Sequence, residues 1–155
     1  MLVWEEEYKI GNAEMDAQHL ILFALLNQLT VNIDSDRAGD CLHDVMTALG
    51  NYIDYHFAHE EALMKAWGYP GLDEHAAKHA QFVAEVRRLQ SMVQGTDMHK
   101  AAIRVRAFVL DWLLGHILGT DVEYARFIAE KSGAEKSGAE KSGAEQPDGA
   151  PSGVA

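Results

Sequence analysis

The chain contains 155 residues, carries a net charge of −11 and has one cysteine, Cys41. This length favours one compact domain, and a single cysteine excludes a disulfide bond within the chain. The acidic excess repels phosphate groups and no segment carries a basic stripe, so we expect neither nucleic acid nor an anionic membrane surface as a partner.

The first 130 residues repeat apolar side chains with the period of an amphipathic helix and show almost no strand signal. The pattern predicts four helices, at about 17–33, 38–67, 73–94 and 97–130, with Asp16 capping the first and Asp73 capping the third. Four such helices, joined by short breaks, bury their apolar stripes together in an all-α, up-down-up-down four-helix bundle. We expect Trp4 and Tyr8 to pack an N-terminal arm across one end of this bundle.

The last part of the chain differs in composition from the rest. Residues 131–145 repeat the sequence KSGAE three times, and QPDGAPSGVA follows. Because glycine recurs at every fifth position of the repeat and almost no side chain is large enough to pack, ordering this segment would cost more entropy than it returns. The sequence therefore predicts a bundle domain over 1–130 and a disordered tail over 131–155.

Metal-binding side chains fall on the apolar stripes of all four predicted helices. They are His19, His56, Glu60, His75, His79, His116 and Asp121. In antiparallel helices these positions all lie at the same end of the bundle. Imidazole and carboxylate groups are rarely buried without a partner, and a metal cluster is the simplest partner for this set.

The spacing within three pairs supports a common site. Two pairs are four residues apart and project from one helix face: His56 with Glu60, and His75 with His79. His116 and Asp121 are five residues apart, which turns their side chains about 140° from each other on a regular helix. A wider π-helical turn around Gly119 would remove this difficulty, since such turns occur often at functional sites.

Several short motifs resemble those of a known family. The order WEEEY, DAQH, YHFAHEE, a YP turn, HAAKH and HILGTD over residues 1 to 130 is similar to that of the hemerythrins, especially the single-domain bacterial form. The resemblance implies two non-haem iron ions and the binding of dioxygen at an open position on one of them. It implies that His75, His79 and His116 bind one iron, that His19 and His56 bind the other, and that Glu60, Asp121 and an oxo or hydroxo group bridge the two.

The ligand set and its neighbours indicate what such a site does. An imidazole-rich shell with few carboxylates favours a diferrous resting state and reversible electron transfer to dioxygen over substrate oxidation. Apolar side chains near the ligands predict a pocket for dioxygen that excludes water and proton donors. They are Leu22, Phe23, Leu113 and Ile117.

The remaining polar candidates are interpreted as neighbours of the site or as surface groups. His59 lies one residue off the stripe and could compete with His56 as a ligand, but we interpret it as flanking the cluster or facing solvent. His43 and His99 are expected on the surface, and Glu61 is expected to be a solvated charge. Trp112 is expected in the core, where it could also shield His116.

We therefore expect reversible dioxygen binding for storage, transport or delivery, not an enzyme. The alternatives are a di-iron enzyme, acting as a peroxidase, oxidase or nitric oxide scavenger, and an oxygen-sensing or iron-sensing module. No separate catalytic base or output domain is visible, which argues against both alternatives. The acidic N-terminus lacks a secretion signal and no apolar run approaches the roughly 20 residues of a membrane span. We expect a cytoplasmic monomer, with an oxygen-consuming recipient protein as the partner that a delivery role would require.

Overall fold

The computed structural model describes residues 1–35, 37–93 and 97–143, and these ranges contain helices and no β-strand. The longer helices are α1 (Ala13–Asp34), α2 (Ala38–Trp67), α3 (Leu72–Val93), α4 (Met98–His116) and α5 (Val122–Gly143). A 3-10 turn at Glu6–Tyr8 precedes them, and a π-helical turn at Ile117–Asp121 joins α4 to α5. The predicted all-α four-helix bundle is confirmed, because α4, the π-helical turn and α5 follow one another as its fourth rod.

The π-helical turn lies where the sequence required it. It spans the five residues Ile117–Asp121 and contains Gly119, at which an added side chain would meet open space. A π-helical turn holds one more residue than an α-helical turn, so Asp121 comes round to the side of the helix on which His116 lies. The hypothesis of a wider turn at this position is confirmed.

The start of α1 differs from the prediction. Asn12, not Asp16, is the N-cap, and its side-chain oxygen accepts hydrogen bonds from the backbone amides of Glu14 and Met15 at 3.1 Å each. The Asp16 carboxylate instead accepts a hydrogen bond from the backbone amide of Ile10 at 2.8 Å and so ties the N-terminal arm to the helix. Aspartate is a residue type that often caps helices, but Asp16 lies four residues beyond the N-cap and its carboxylate binds the Ile10 amide instead.

The start of α3 also differs by a short distance. This helix begins at Leu72, so Asp73 lies in its first turn and not ahead of it. There the carboxylate still interacts favourably with the positive end of the helix dipole. Gly68, with φ of 67°, ends α2 in the left-handed conformation that glycine adopts without strain.

The core follows the four rods along the bundle axis. Its apolar side chains include Leu26, Leu29, Leu42, Leu49, Ile53, Phe82, Val86, Val105 and Val109. The N-terminal arm packs on α1 through Phe23, whose ring centroid lies 5.1 Å from that of Trp4 and 5.4 Å from that of Tyr8. None of the helices in the described ranges combines the length and the apolar content that crossing a membrane requires.

The helical structure continues into the segment predicted to be disordered. Helix α5 runs to Gly143 and so includes the first two KSGAE repeats and the start of the third. Alanine, glutamate and lysine favour helix, and extending an existing helix avoids the cost of nucleating a new one. Lys131 donates a hydrogen bond to the carbonyl of Trp67 at 2.7 Å. Residues 144–155 lie outside the described part of the chain, and the domain boundary at 130 stays a prediction.

Candidate metal centre

The seven candidate ligands converge from four elements at one end of the bundle. Each is at most 5 % exposed: His19, His56, Glu60, His75, His79, His116 and Asp121. They come from the start of α1, the later part of α2, the start of α3 and the junction of α4 with the π-helical turn. The fold thus gathers into one buried cluster residues as far apart in the chain as His19 and Asp121.

One side of the cluster contains three histidines from two helices. The Nε2 atoms of His75, His79 and His116 lie 2.9 to 3.2 Å from one another. The Oε2 atom of Glu60 lies 3.1 Å from Nε2 of His79, and the Oδ1 atom of Asp121 lies 3.0 Å from Nε2 of His116. Three ring nitrogens and two carboxylate oxygens therefore surround one point.

The other side of the cluster contains two histidines. Nε2 of His19 lies 3.4 Å from Oδ2 of Asp121, and Nε2 of His56 lies 4.0 Å from Oε2 of Glu60. Asp121 thus presents one oxygen to each side, and Oε2 of Glu60 approaches histidines of both sides. Both carboxylates therefore lie between the two groups of histidines.

Many polar atoms of the cluster are buried without a hydrogen-bond partner among the described residues. These are both ring nitrogens of His19, Nδ1 of His75, and both carboxylate oxygens of Glu60 and Asp121. Leaving such an atom without a partner costs about 1–3 kcal/mol, and more for a charged group. Cations bound between the two sides would provide partners for the atoms that face them, so the residues present fit a metal cluster.

The protonation of the cluster also suits metal binding. Burial lowers the pKa of His56 to about 4 and also lowers the pKa of His116. Burial alone would raise the pKa of Glu60, but the nearby rings of His75 and His79 outweigh it and the pKa lies well below its usual value. The pKa of Asp121 is likewise lowered, because its contacts with His116 and His19 outweigh burial and the charge of Glu60. Neutral imidazoles and ionised carboxylates are the forms that bind metal ions.

Two residues that hold the histidine rings were not identified from the sequence. Oε1 of Gln18 lies 2.9 Å from Nδ1 of His56, and Oε1 of Glu61 lies 2.9 Å from Nδ1 of His79. The interpretation of Glu61 as a solvated charge is wrong, because this half-exposed carboxylate accepts a hydrogen bond from the ring. The one signal for Gln18 was its place beside His19 in a stretch of α1, residues 17–33, that has no charged side chain.

Aromatic rings cover the three-histidine side. Phe57 stacks on His79 with ring centroids 3.6 Å apart and planes within 2°, and Trp112 stacks on His116 at 4.2 Å and 14°. Trp112 therefore covers a candidate ligand, as the sequence suggested, whereas the contact of Phe57 was not foreseen. Both rings exclude water from one face of an imidazole.

The four predicted pocket residues are all buried, but they occupy three different places. Leu22 and Leu113 line a small apolar cavity beside the cluster, together with Phe57 and Trp112. Phe23 instead lies beneath the aromatic rings of the N-terminal arm. Ile117, also fully buried, opens the π-helical turn.

The titratable residues outside the ligand cluster have different surroundings. His59 is 31 % exposed, and its Nδ1 atom lies 2.8 Å from the side-chain nitrogen of Gln18. His43 is exposed and His99 is half-buried. Tyr124, which was not singled out from the sequence, is fully buried beside His75, and burial together with the carboxylates of Glu60 and Asp121 raises its pKa.

A helical bundle that gathers buried histidines around two shared carboxylates defines this chain as a metal-binding bundle protein. The family model for the hemerythrin HHE cation-binding domain matches residues 11–128. The chain belongs to the hemerythrin family.

Individual relatives agree with this assignment. A bacteriohemerythrin from Clostridium acetobutylicum is 30 % identical over 80 % of this chain and 98 % of its own length. A bacteriohemerythrin from Stenotrophomonas maltophilia is 32 % identical over 81 % of this chain and 80 % of its own. A myohemerythrin from Riftia pachyptila is 30 % identical over 79 % of this chain and 89 % of its own. The chain is thus similar to these proteins over almost the whole bundle.

Proposed function

We propose that this protein binds dioxygen reversibly at two non-haem iron ions. The observation that carries the proposal is the composition of the buried cluster, which contains five imidazoles and two carboxylates. Membership of a family whose relatives include bacteriohemerythrins and a myohemerythrin supports it. Imidazole-rich shells favour the ferrous state, from which dioxygen can be bound and released.

The geometry supports a division of the ligands between two ions. In this proposal His75, His79 and His116 bind one iron, and His19 and His56 bind the other. Glu60 and Asp121 would hold both ions, because their oxygens lie near histidines of both sides. An ion held on the two-histidine side would have one protein ligand fewer, and that side would be the one open to dioxygen.

A bound ferrous pair supplies the electrons and the open position that dioxygen binding needs. The protein's own residues keep the process reversible. Leu22 and Leu113 line the cavity beside the cluster, and neither can donate a proton. Phe57 and Trp112 shield the rings of the three-histidine side from water. A dry surrounding without proton donors slows the irreversible oxidation of the iron.

The physiological use that fits this chemistry is oxygen storage, transport or delivery in the cytoplasm. A delivery role requires an oxygen-consuming recipient, and a monomer could perform it.

Absorbance under alternating gases tests the proposal. Protein reconstituted with ferrous iron should hold about two irons per chain by elemental analysis. The reduced, colourless protein should gain near-ultraviolet and visible absorption in oxygen and lose it under argon through repeated cycles. A single irreversible oxidation with net oxygen consumption would support a di-iron enzyme instead.

A further inference from the structure

Hydrogen bonds connect the candidate ligand His56 to the protein surface. Nδ1 of His56 lies 2.9 Å from Oε1 of Gln18, and the Nε2 atom of the same amide lies 2.8 Å from Nδ1 of His59. Nε2 of His59 in turn lies 3.6 Å from a carboxylate oxygen of Glu14. We propose that Gln18, oriented by His59, is a positioning residue that holds the His56 ring with its Nε2 lone pair directed at the two-histidine metal position.

When His56 binds a metal, only one assignment of donors and acceptors fits the contacts that run from His56 through Gln18 and His59 to the Glu14 carboxylate. Nε2 of His56 must then be unprotonated, so Nδ1 carries the proton and donates it to the carbonyl oxygen of Gln18. The NH₂ group of Gln18 consequently faces His59 and donates to its Nδ1. This leaves the proton of His59 on Nε2, the atom that faces the carboxylate of Glu14.

His59 therefore favours one of the two possible orientations of the Gln18 amide. An amide side chain has one accepting end and one donating end, and it could turn by 180° if only one neighbour bound it. With the oxygen of Gln18 toward His59, the NH₂ group would face the protonated Nδ1 of His56, and two donors would meet. The acceptor on His59 favours the opposite orientation, the one that holds His56 in the metal-binding tautomer.

The burial of Gln18 leaves little room for water to orient its amide in place of protein groups. Gln18 is 5 % exposed, so water reaches it poorly, while Glu14 is 65 % exposed at the outer end of the series. A buried amide that lost either partner would leave a polar atom unsatisfied at a cost to folding. Protein contacts, not solvent, therefore orient the amide of Gln18.

On the three-histidine side, a different kind of residue accepts the hydrogen bond from a ligand ring. There Glu61 accepts a hydrogen bond from Nδ1 of His79 at 2.9 Å. A carboxylate accepts through both oxygens and needs no further residue to orient it. The two-histidine side uses a neutral amide, so its support depends on His59 as well. Since that side has two histidines instead of three, misplacing His56 removes a larger share of its ligands.

The inference rests on the proposed function, because the ion that His56 holds is the iron of that site. The first test uses metal-free protein and needs no bound ion. The ¹⁵N shifts of the imidazole nitrogens should show His56 in the Nδ1-protonated form in the wild type. A His56 ring protonated on Nε2 in the folded, metal-free protein would overturn the proposal.

Substitutions at Gln18 provide the second test. Gln18→Leu should give a mixture of His56 tautomers and lower the affinity for the second ferrous ion by about 10–100-fold, while the first ion binds as in the wild type. Gln18→Glu should restore both properties, because the new carboxylate accepts from His56 as Glu61 does from His79. The matched control is Gln28→Leu, which makes the same change at an exposed position of α1.

The outcomes separate this inference from the proposed function. If Gln18→Leu kept the wild-type tautomer and both iron affinities, the positioning role would be wrong while oxygen binding could still hold. If the wild type bound two irons without binding oxygen reversibly, the proposed function would fail and the role of Gln18 would remain supported. Should Gln18→Leu lose its helical circular dichroism, the tautomer of the wild type alone decides the question.

Discussion

The two ends of this bundle have cores of opposite composition. At one end, α1, α2 and the fourth rod meet through apolar side chains such as Leu29, Leu42 and Val105, each at most 2 % exposed. At the other end the same helices bury imidazoles and carboxylates just as completely. The same helices thus bury an apolar core at one end and a polar cluster at the other, and burial affects the stability of the two ends differently.

The apolar end is stabilised by removing hydrocarbon from water, which needs no partner outside the chain. The polar end buries atoms that have no hydrogen-bond partner among the described residues, including both oxygens of Glu60 and of Asp121. Burying such groups destabilises a protein unless an ion or another group neutralises them. The apolar end therefore supports the fold, while the stability of the polar end depends on what binds there.

Removing a shared carboxylate should break the polar end most strongly. Glu60→Ala or Asp121→Ala should lose the paired site, because the histidines cannot hold two cations close together without a negative group between them. Elemental analysis should then find at most one iron per chain in place of two, and the oxygen-dependent absorption should disappear. A variant that kept two irons would show that the missing carboxylate does not bridge.

A cavity at the apolar end should reduce stability and leave the site intact. Leu29→Ala should lower the free energy of unfolding by about 2–5 kcal/mol through lost burial and the cavity that remains. Denaturant unfolding measures this change, and iron analysis should still find two ions. Loss of iron at temperatures where the variant is folded would mean that the two ends are not separable.

Acid should weaken the polar end of the metal-free protein. Burial lowers the pKa of His56 from 6.5, its ordinary value in an unfolded chain, to about 4 in the folded protein, so the unfolded chain binds a proton more readily. Stability is therefore fully present above pH 6.5 and falls as the pH drops toward 4, by about 3 kcal/mol for this group. Thermal unfolding across this range measures it, with His56→Gln as the control in which the slope should decrease.

A hydroxyl group in the cavity beside the cluster should test its dryness. Leu113→Ser should leave the iron content near two ions per chain but speed the irreversible oxidation of the oxygenated protein on the order of tenfold, equal to about 1.4 kcal/mol in the barrier. The decay of the oxygen-dependent absorption gives the rate. Equal rates in the two proteins would mean that Leu113 does not protect the bound oxygen.

The smallest effects are expected at histidines outside the cluster. His43→Ala removes an exposed ring and should change stability by at most about 0.5 kcal/mol and leave the iron content unchanged. His59→Ala should also keep both irons at saturating iron, with a weaker second site than His43→Ala, because His59 acts only through Gln18. If His59→Ala abolished iron binding while His56→Ala did not, the ligand assignment on α2 would be wrong.

Much of the fold and the candidate site was predictable from local patterns. Apolar periodicity specified four rods because one face of each helix must be buried, and the spacing of His116 and Asp121 pointed to the π-helical turn that the structure contains. Helix ends were less predictable. Asp16 is a residue type that often caps helices, but the N-cap is Asn12, whose side chain accepts hydrogen bonds from the first free amides of α1.

Contacts between helices were the part that the sequence left open. Gln18 and Glu61 are ordinary polar residues in the chain, and their roles arise because α2 places His56 beside α1 and α3 places His79 beside α2. The same applies to Phe57 and Trp112, whose stacking on ligand rings depends on how the rods are rotated about their axes. Spacing within one helix carries no information about that rotation.

The sequence by itself determined which side chains each helix would turn inward, because residues three and four apart share a face whatever surrounds the helix. It thereby determined the all-α fold and brought all seven candidate ligands to one end of the bundle. The tertiary structure alone decided which oxygen or ring approaches each imidazole, that Leu22 and Leu113 line one small apolar cavity, and that Gln18 lies between His56 and His59. These depend on distances of about 3 Å between different helices, and only the packing of the whole core sets distances on that scale.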